Sequence, residues 1–394
     1  MTHEALDLSR LRPRLPSPLR EAEDERFSRR GVRLLLKRDD LIHPDLPGNK
    51  WRKLELNLRA AAGRTVLTFG GAYSNHLRAT AAAGRLLGFP TIGVVRGDEL
   101  AGRPLNPSLA RCAADGMRLH FVDRATYRAK AEPEVLAAIV ADASAAARGL
   151  LPTPPLPEPG QAPDPGRPTG VSSNAGQAGG APRGGLSSAA GAAEFGPARQ
   201  PSASPAFEER GPGRRPQAAE PQSVTAENGG VGNLYVVPEG GSNALAVQGC
   251  VALGTELHGV ADVVGVACGT GGTIAGLAAG LGPAQHAIGF PVLKGGFLGD
   301  EIRALQDAAF GAPAGDWTLD DRFHCGGYAR TTPELEAFAA DFEERHGLPV
   351  ERLYVAKMLH GLTTLATEGA FPPGTTVAAV ITGRPDAAQP GSAR

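Results

Sequence analysis

The chain has few cysteines and no excess of positive or negative charge. Both features limit the classes of function that the protein could have. Its cysteines lack the spacing of a zinc site or a disulfide framework: Cys112, Cys250, Cys268 and Cys325. We therefore expect buried free thiols in a reducing compartment. Because 40 lysines and arginines balance 41 acidic residues, the net charge of -1 provides no basic field for nucleic acid or an acidic membrane surface.

Long apolar runs are missing as well. Residues 1–20 contain no apolar core of signal-peptide length, and no run approaches the length of a membrane span. The nine histidines form no HxH or HxxxH pair, so no metal site is expected. The sequence thus predicts a cytoplasmic protein without a nucleic-acid, membrane or metal partner.

Short apolar runs alternate with helical patterns over much of the chain. Strands are predicted at 65–69, 91–95, 119–122, 263–267, near Ile288 and at 376–381, and helices at 76–87, 244–257, after Thr273 and at 334–346. Strands that alternate with helices are typical of a parallel sheet with helices on both faces. We therefore expect an α/β fold.

Residues 148–230 interrupt this alternation. They consist largely of proline, glycine, alanine and serine, with almost no large apolar side chains. Such a segment cannot bury enough surface to offset the entropy lost on ordering. We predict a disordered insertion within one catalytic unit formed by 1–147 and 231–394. A functional tether is the alternative.

Lys50 lies at the predicted start of an amphipathic helix. Four apolar residues recur at helical spacing and would pack on one face: Trp51, Leu54, Leu58 and Ala61. An imine forms from the neutral amine, which the partial positive charge of a helix start favours. The alternative is an ordinary solvated helix lysine, as expected for its neighbours Arg52 and Lys53.

A glycine-rich turn joins a predicted strand to a helix. Its residues are Gly269, Thr270, Gly271, Gly272 and Thr273. Glycines allow the backbone to approach an anion, and helix N–H groups bind it. A P-loop would require Gly-Lys-Ser/Thr, and a dinucleotide fingerprint would require glycine where Ile274 stands. We therefore predict a cradle for the phosphate of a small cofactor, with a purely structural turn as the alternative. A Schiff-base lysine and a remote phosphate cradle together indicate pyridoxal phosphate.

Two further groups of residues could take part in binding or catalysis. Ser74 and Asn75 would cap a helix, and they could also hold a substrate carboxylate or a cofactor ring oxygen. Tyr328 follows two glycines, and Tyr354 lies in the segment Leu353-Tyr354-Val355-Ala356-Lys357-Met358. A phenol can act as an acid or base if a neighbouring cation lowers its pKa, whereas a surface turn is the alternative for Tyr328.

Seven ordered segments resemble the ACC deaminase / D-cysteine desulfhydrase family of pyridoxal-phosphate enzymes. They are 36–40, 48–54, 70–78, 238–243, 269–276, 324–330 and 354–361. The resemblance implies the two-lobed tryptophan synthase β-like fold, which is fold type II. Each lobe is an open parallel α/β sheet, and pyridoxal phosphate lies in the cleft between the lobes. It also implies a small amino-acid substrate and a homodimer.

The resemblance further implies roles for individual residues. Lys50 is the Schiff-base lysine and the base that moves the α-proton, Asn75 contacts the ring hydroxyl oxygen, and residues 269–273 hold the phosphate. Ser74 and His76 lie near the substrate carboxylate. The remaining implied residues are Tyr328 and Tyr354, which face the substrate, and Thr382, which donates to the pyridine nitrogen.

The sequence departs from the family pattern at two places. ACC deaminases have a glutamate after the second tyrosine, where this chain has Val355. That glutamate keeps the pyridine ring protonated, and the resulting strong electron sink is needed to open a cyclopropane. We therefore expect α,β-elimination from D-cysteine, giving pyruvate, ammonia and sulfide. ACC deamination and a catalytically silent pyridoxal-phosphate-binding protein are the alternatives. The tail after Gly383 is also altered, and Arg384 is expected near the cofactor ring.

Overall fold

Two β-sheets organise the part of the chain that the computed structural model describes, residues 6–46, 48–148 and 234–385. The helices are α1 Glu25–Ser28, α2 Lys50–Ala61, α3 Asn75–Leu87, α4 Pro107–Ala114, α5 Arg124–Arg128, α6 Pro133–Arg148, α7 Ala244–Leu257, α8 Gly272–Gly280, α9 Leu298–Phe310, α10 Pro333–His346 and α11 Val355–Glu368. The strands are β1 Leu19–Ala22, β2 Arg33–Lys37, β3 Thr65–Gly70, β4 Thr91–Arg96, β5 Arg118–Val122, β6 Leu234–Val237, β7 Val263–Cys268, β8 His286–Pro291, β9 Trp317–Leu319 and β10 Thr376–Val380. Apart from Arg148, the predicted insertion lies outside the described residues.

The larger sheet has the strand order β1-β2-β10-β7-β8-β9 and is parallel except for β1. Its central strands are buried on both faces, as expected for a parallel sheet covered by helices. On β7, Val264 and Val266 pack in the same core cluster as Ile274 of α8. Ala267 points to the opposite face and belongs to the cluster that contains Leu359 of α11.

The smaller sheet has the order β5-β4-β3-β6 and is parallel throughout. The apolar side chains of α2 and α3 cover one face, where Val66 of β3 packs. The next residue, Leu67, points to the other face and packs with Ile139 of α6. The four apolar residues of α2 that the sequence predicted to pack together are all buried in one cluster: Trp51, Leu54, Leu58 and Ala61.

The predicted α/β class and its strand-helix alternation are confirmed, but β1, β6, β9 and β2 were not predicted. The case of β2 shows why. Its last residue, Lys37, is buried, and its ammonium group contacts Glu256 of α7 at 2.6 Å. A lysine in such a run suggests a surface segment until its distant partner is known. The four cysteines are free thiols, and Cys325 is the one that is only partly buried. No helix among the described residues is long and apolar enough to cross a membrane.

Glycines allow α7 and α8 to pack closely. A Cβ atom on Gly276 would lie 2.1 Å from the carbonyl oxygen of Val247, and one on Gly280 would lie 2.1 Å from that of Val251. Neither backbone atom can move without shifting a helix. Since α8 begins at the glycine-rich turn, this packing fixes the position of the predicted phosphate cradle.

We expect Gly276→Ala to lower the free energy of unfolding by about 2 kcal/mol, because the added methyl group overpacks the helix contact. Gly299→Ala is the matched control, since its Cβ would meet only Arg303 Nη1, at 3.6 Å. That change should be neutral or stabilise α9 by up to about 1 kcal/mol. Urea unfolding measures the change in free energy of unfolding for both variants, provided that the m-value is unchanged. Equal stability of the two variants would contradict the close packing.

Candidate active site

The carboxyl ends of strands from both sheets border one cavity of about 370 Å³. Ligands of open parallel sheets bind at this end of the strands. Most of the residues that the sequence analysis singled out line the cavity: Lys50, Ser74, Asn75, His76, Gly269, Thr270, Gly271, Thr273, Tyr328, Tyr354 and Thr382. Gly272 does not line it, but it is the first residue of α8. The structure thus brings together residues from distant parts of the chain.

The turn before Lys50 is pressed against the end of β10. The backbone N–H of Asn49 donates to the carbonyl oxygen of Thr382 over 3.1 Å. Gly48 has a φ of +62°, and a Cβ atom there would overlap the same carbonyl group. Only glycine fits this position. Lys50, the first residue of α2, is therefore held beside Thr382.

The amine of Lys50 is prepared for reaction mainly by desolvation. Burial lowers its pKa to about 7, and the neighbouring Lys53 ammonium lowers it further. Much of the amine is therefore neutral near pH 7, as a nucleophilic lysine requires. Burial, and not the helix start expected from sequence, is the largest cause of the lowered pKa.

Lys53 and Arg52 are not solvated, contrary to the expectation from sequence, and Lys53 lines the cavity. Its Nζ donates to the carbonyl oxygen of Gly240 over 3.2 Å and to Ser242 Oγ over 3.1 Å. Residues three apart lie on the same face of a helix. The spacing between Lys50 and Lys53 could therefore have indicated that both face the cavity.

The start of α8 has the donors that a phosphate group needs. Its N-cap, Gly271, has a φ of +77°, and no side chain caps the helix. The first-turn N–H groups thus remain open toward an anion. The ammonium of Lys53 lies 3.2 Å from the position that a Cβ on Gly272 would take. Asn49 Nδ2 donates to Thr273 Oγ1 over 3.0 Å, which joins this cradle to the Lys50 turn. The donor set fits a phosphate.

The start of α3 forms another part of the cavity wall. Ser74 is the N-cap, and its Oγ accepts from the backbone N–H of Leu77 over 3.2 Å, so the predicted cap is confirmed. Asn75 follows as the first residue of the helix. The partial positive charge of this helix start favours an anion.

The ring of His76 cannot donate to a carboxylate. Thr68 Oγ1 donates to the carbonyl oxygen of Val237, so the 2.9 Å contact between Thr68 Oγ1 and His76 Nε2 places the proton on Nε2. His76 Nδ1 is therefore an acceptor, and it is buried with no partner among the described residues. Burial, with the charges of Lys50 and Lys53, lowers the pKa of His76 well below its usual value. Only the backbone of His76 remains as a donor to the predicted carboxylate.

Tyr328 and Tyr354 lie edge to face, with ring centroids 6.1 Å apart. The condition for acid or base catalysis by these phenols, a pKa lowered by a neighbouring cation, is not met. Burial raises the pKa of Tyr328, and burial together with Tyr328 raises that of Tyr354 well above its usual value. Both phenols stay protonated at neutral pH. They can therefore donate hydrogen bonds to a substrate.

Glu351 is a lining residue that the sequence analysis did not identify. Its carboxylate accepts from the backbone N–H groups of Leu353, Tyr354 and Val355 over 2.7, 2.8 and 3.2 Å, so it holds the backbone that leads into α11. Burial raises the pKa of Glu351. Val355 itself is fully buried in the core of the larger lobe.

A buried lysine holds the loop that carries Tyr328. Four of the five residues in 325–329 have positive φ, including the non-glycine residues Cys325 (53°) and Ala329 (57°). Such conformations persist only where the surroundings enforce them. Lys357 Nζ of α11 donates to the carbonyl oxygens of His324 and Gly327 over 2.9 and 3.0 Å. The position of Tyr328 thus depends on Lys357.

Arg384 does not occupy the position expected from sequence. Its Nε contacts Asp40 Oδ2 at 2.8 Å, its side chain is largely exposed, and it is not among the residues that line the cavity. Thr382 and Gly383 are the last residues of the chain that line the cavity. The altered tail therefore does not fill the cavity within the described residues.

Known structures share this architecture. A crystal structure of an ACC deaminase homologue has a TM-score of 0.58, with 21% identity over 96% of this chain and 95% of that one. A hydrogen sulfide-producing enzyme from Fusobacterium nucleatum has a TM-score of 0.54, with 10% identity over 96% and 98%. The chain has the two-lobed tryptophan synthase β-like fold, fold type II, as predicted.

No protein-family model matches the chain. It is 44% identical over 73 residues to a putative 1-aminocyclopropane-1-carboxylate deaminase of Pyrococcus abyssi, covering 18% of this chain and 22% of that protein. It is 36% identical over 105 residues to a mitochondrial bifunctional D-cysteine desulfhydrase/1-aminocyclopropane-1-carboxylate deaminase of Arabidopsis thaliana, covering 25% and 26%. It is 34% identical over 155 residues to a D-cysteine desulfhydrase of Klebsiella pneumoniae, covering 35% and 46%.

The aligned part thus spans less than half the length of each of these curated relatives. Within it, the resemblance to the ACC deaminase / D-cysteine desulfhydrase family that the seven segments predicted is confirmed.

The reactivity of Lys50 in the cofactor-free protein should rise as the pH increases through about 7, since the neutral amine is the reactive form. Peptide mass spectrometry after amine labelling measures this, with exposed Lys294 as the reference for reagent activity. Lys53→Met removes one cause of the lowered pKa and should move the midpoint to higher pH. A midpoint near that of a free lysine side chain would show that Lys50 is not desolvated.

Lys357→Met should free the Tyr328 loop without unfolding the protein. We expect nitration of Tyr328 by tetranitromethane to accelerate about tenfold, because local opening exposes the ring. Tyr127, which is 2% exposed, reports global unfolding and should remain unmodified. Lys357→Arg keeps the charge and serves as the conservative variant. If Tyr127 and Tyr328 react together, Lys357 supports the whole fold and not this loop.

Proposed function

We propose that this chain is a pyridoxal-phosphate-dependent lyase that acts on a small amino acid. The favoured reaction is α,β-elimination from D-cysteine, in which D-cysteine and water give pyruvate, ammonia and hydrogen sulfide. The observation that carries this proposal is the cavity in which the desolvated Lys50 amine and the uncapped start of α8 face the same space. Relatives named D-cysteine desulfhydrase support the choice of substrate.

Residues of this chain would bind each part of pyridoxal phosphate. Lys50 would bind its aldehyde carbon, Asn75 its ring hydroxyl oxygen and Thr382 its pyridine nitrogen. The phosphate would be held by Lys53 and the start of α8, including Gly269, Thr270, Gly271, Gly272 and Thr273. When bound, pyridoxal phosphate supplies an electron sink for charge that develops at the substrate α-carbon.

The side chains of this chain would handle the proton transfers. The Lys50 amine takes the α-proton, since its lowered pKa leaves it free to act as a base near neutral pH. Ser74 and the start of α3 hold the substrate carboxylate. Tyr328 and Tyr354 remain protonated and donate hydrogen bonds to the departing sulfur. The thiol is thereby stabilised as it leaves.

ACC deamination remains the alternative substrate choice. Val355 cannot provide the carboxylate that follows the second tyrosine in ACC deaminases. Glu351 lines the same cavity, but its oxygens already accept three backbone hydrogen bonds. Both facts favour elimination of an easy leaving group over opening of a cyclopropane. A silent cofactor-binding protein is the other alternative, and it would not need both tyrosines. We also propose a cytoplasmic homodimer.

Absorbance spectra of the protein supplied with pyridoxal phosphate test the proposal. Wild type and the exposed-lysine control Lys294→Ala should show a visible band that Lys50→Ala lacks. With D-cysteine, wild type should form equal amounts of pyruvate and sulfide, and Lys50→Ala should be slower by at least about a thousandfold. ACC should give no 2-oxo acid.

Each other outcome identifies an alternative. A band with product from ACC alone would establish the deaminase. A band with no product from either compound would indicate a silent protein. No band in wild type would refute cofactor binding.

A further inference from the structure

Three basic side chains line the cavity without a carboxylate partner among the described residues, and one of them has no place in the proposed function. Lys50 and Lys53 serve the cofactor, and Arg96 is the third. The lining carboxylate of Glu239 is already paired with Lys130, at 3.0 Å. Arg96 is the last residue of β4, at the carboxyl end of the strand that borders the cavity.

The guanidinium of Arg96 lies in a defined place. Its Nη2 is 3.4 Å from the position that a Cβ on Gly71 would take. Its Cζ is 5.7 Å from the ring centroid of Tyr127, which is buried. In the described part of the chain, neither a hydrogen bond nor an ion pair engages its N–H donors. A guanidinium is permanently charged, and its planar fork matches a carboxylate.

Gly71 belongs to the turn that leads into α3. Its carbonyl oxygen accepts from the backbone N–H of Ser74 over 3.0 Å, and Ser74 caps the helix. Arg96 and the start of α3 therefore border the same turn. The phosphate cradle begins instead at β7 of the other sheet, so the two anion-attracting features belong to different lobes.

We propose that Arg96 binds the α-carboxylate of the substrate together with the start of α3. This inference rests on the proposed function, because it names a substrate-binding residue of the same cavity. It also fills a gap, since the His76 ring is an acceptor and cannot take this role. The substrate class follows: free amino acids are accepted, whereas amino-acid amides and simple amines are rejected.

Alanine and alaninamide separate this inference from the elimination reaction, because neither has a β-leaving group. Cofactor-loaded wild type, Arg96→Gln, Arg96→Lys and the exposed control Arg103→Gln are titrated with both enantiomers of each compound, by calorimetry. We expect Arg96→Gln to weaken alanine binding by at least about tenfold and to change alaninamide binding less than about twofold. Arg96→Lys should be intermediate, and Arg103→Gln should match wild type.

The assignment of Arg96 is overturned if Arg96→Gln binds alanine as wild type does, or if it loses alanine and alaninamide equally. If alanine binding depends on Arg96 but D-cysteine yields no sulfide, the proposed reaction fails and the assignment stands. If loaded wild type binds no alanine, the amino-acid substrate and the role of Arg96 both fail.

Discussion

A buried network of charges between the two lobes positions Lys50, the proposed Schiff-base lysine. Arg52, two residues after Lys50, donates to both oxygens of Asp39 over 2.8 and 2.9 Å, and to both oxygens of Glu256 over 2.9 Å. Asp39 follows β2 of the larger sheet, and Glu256 belongs to α7. The helix that carries Lys50 packs on the smaller sheet, so Arg52 ties its first turn to the opposite lobe.

The energetics of burial make this network a strong constraint. Arg52 and Asp39 are 1% and 0% exposed, so loss of one partner would leave a buried charge at a cost of about 3–5 kcal/mol. Lys37 completes the network by binding Glu256. The same first turn is bound to the end of β10 through Asn49 and to α8 through Thr273. The direction of Lys50 is therefore determined by four elements of the larger lobe: β2, α7, α8 and β10.

Sequence patterns predicted the parts of this protein that depend on local chemistry. Alternating apolar runs predicted β3, β4, β5, β7, β8 and β10, and glycines before a helix start predicted the turn at α8 that we propose as the phosphate cradle. Residues whose environment depends on partners that are distant in the sequence were either not identified or expected to be solvent-exposed. Arg52 and Lys53 resemble a solvated helix face until Asp39, Glu256 and the cradle surround them. Glu351 likewise has no recognisable motif, because its role is to accept backbone N–H groups that only the fold brings together.

Burial favours the neutral forms of four side chains that line the cavity. It lowers the pKa of Lys50 and His76 and raises that of Tyr328 and Tyr354. In such surroundings, the few remaining sources of positive potential decide where anions bind. One is the cradle at α8, and another is Arg96 beside the start of α3. A ligand with a phosphate at one end and a carboxylate near the reacting carbon would complement this distribution, since each anionic group would meet one of the two positive regions.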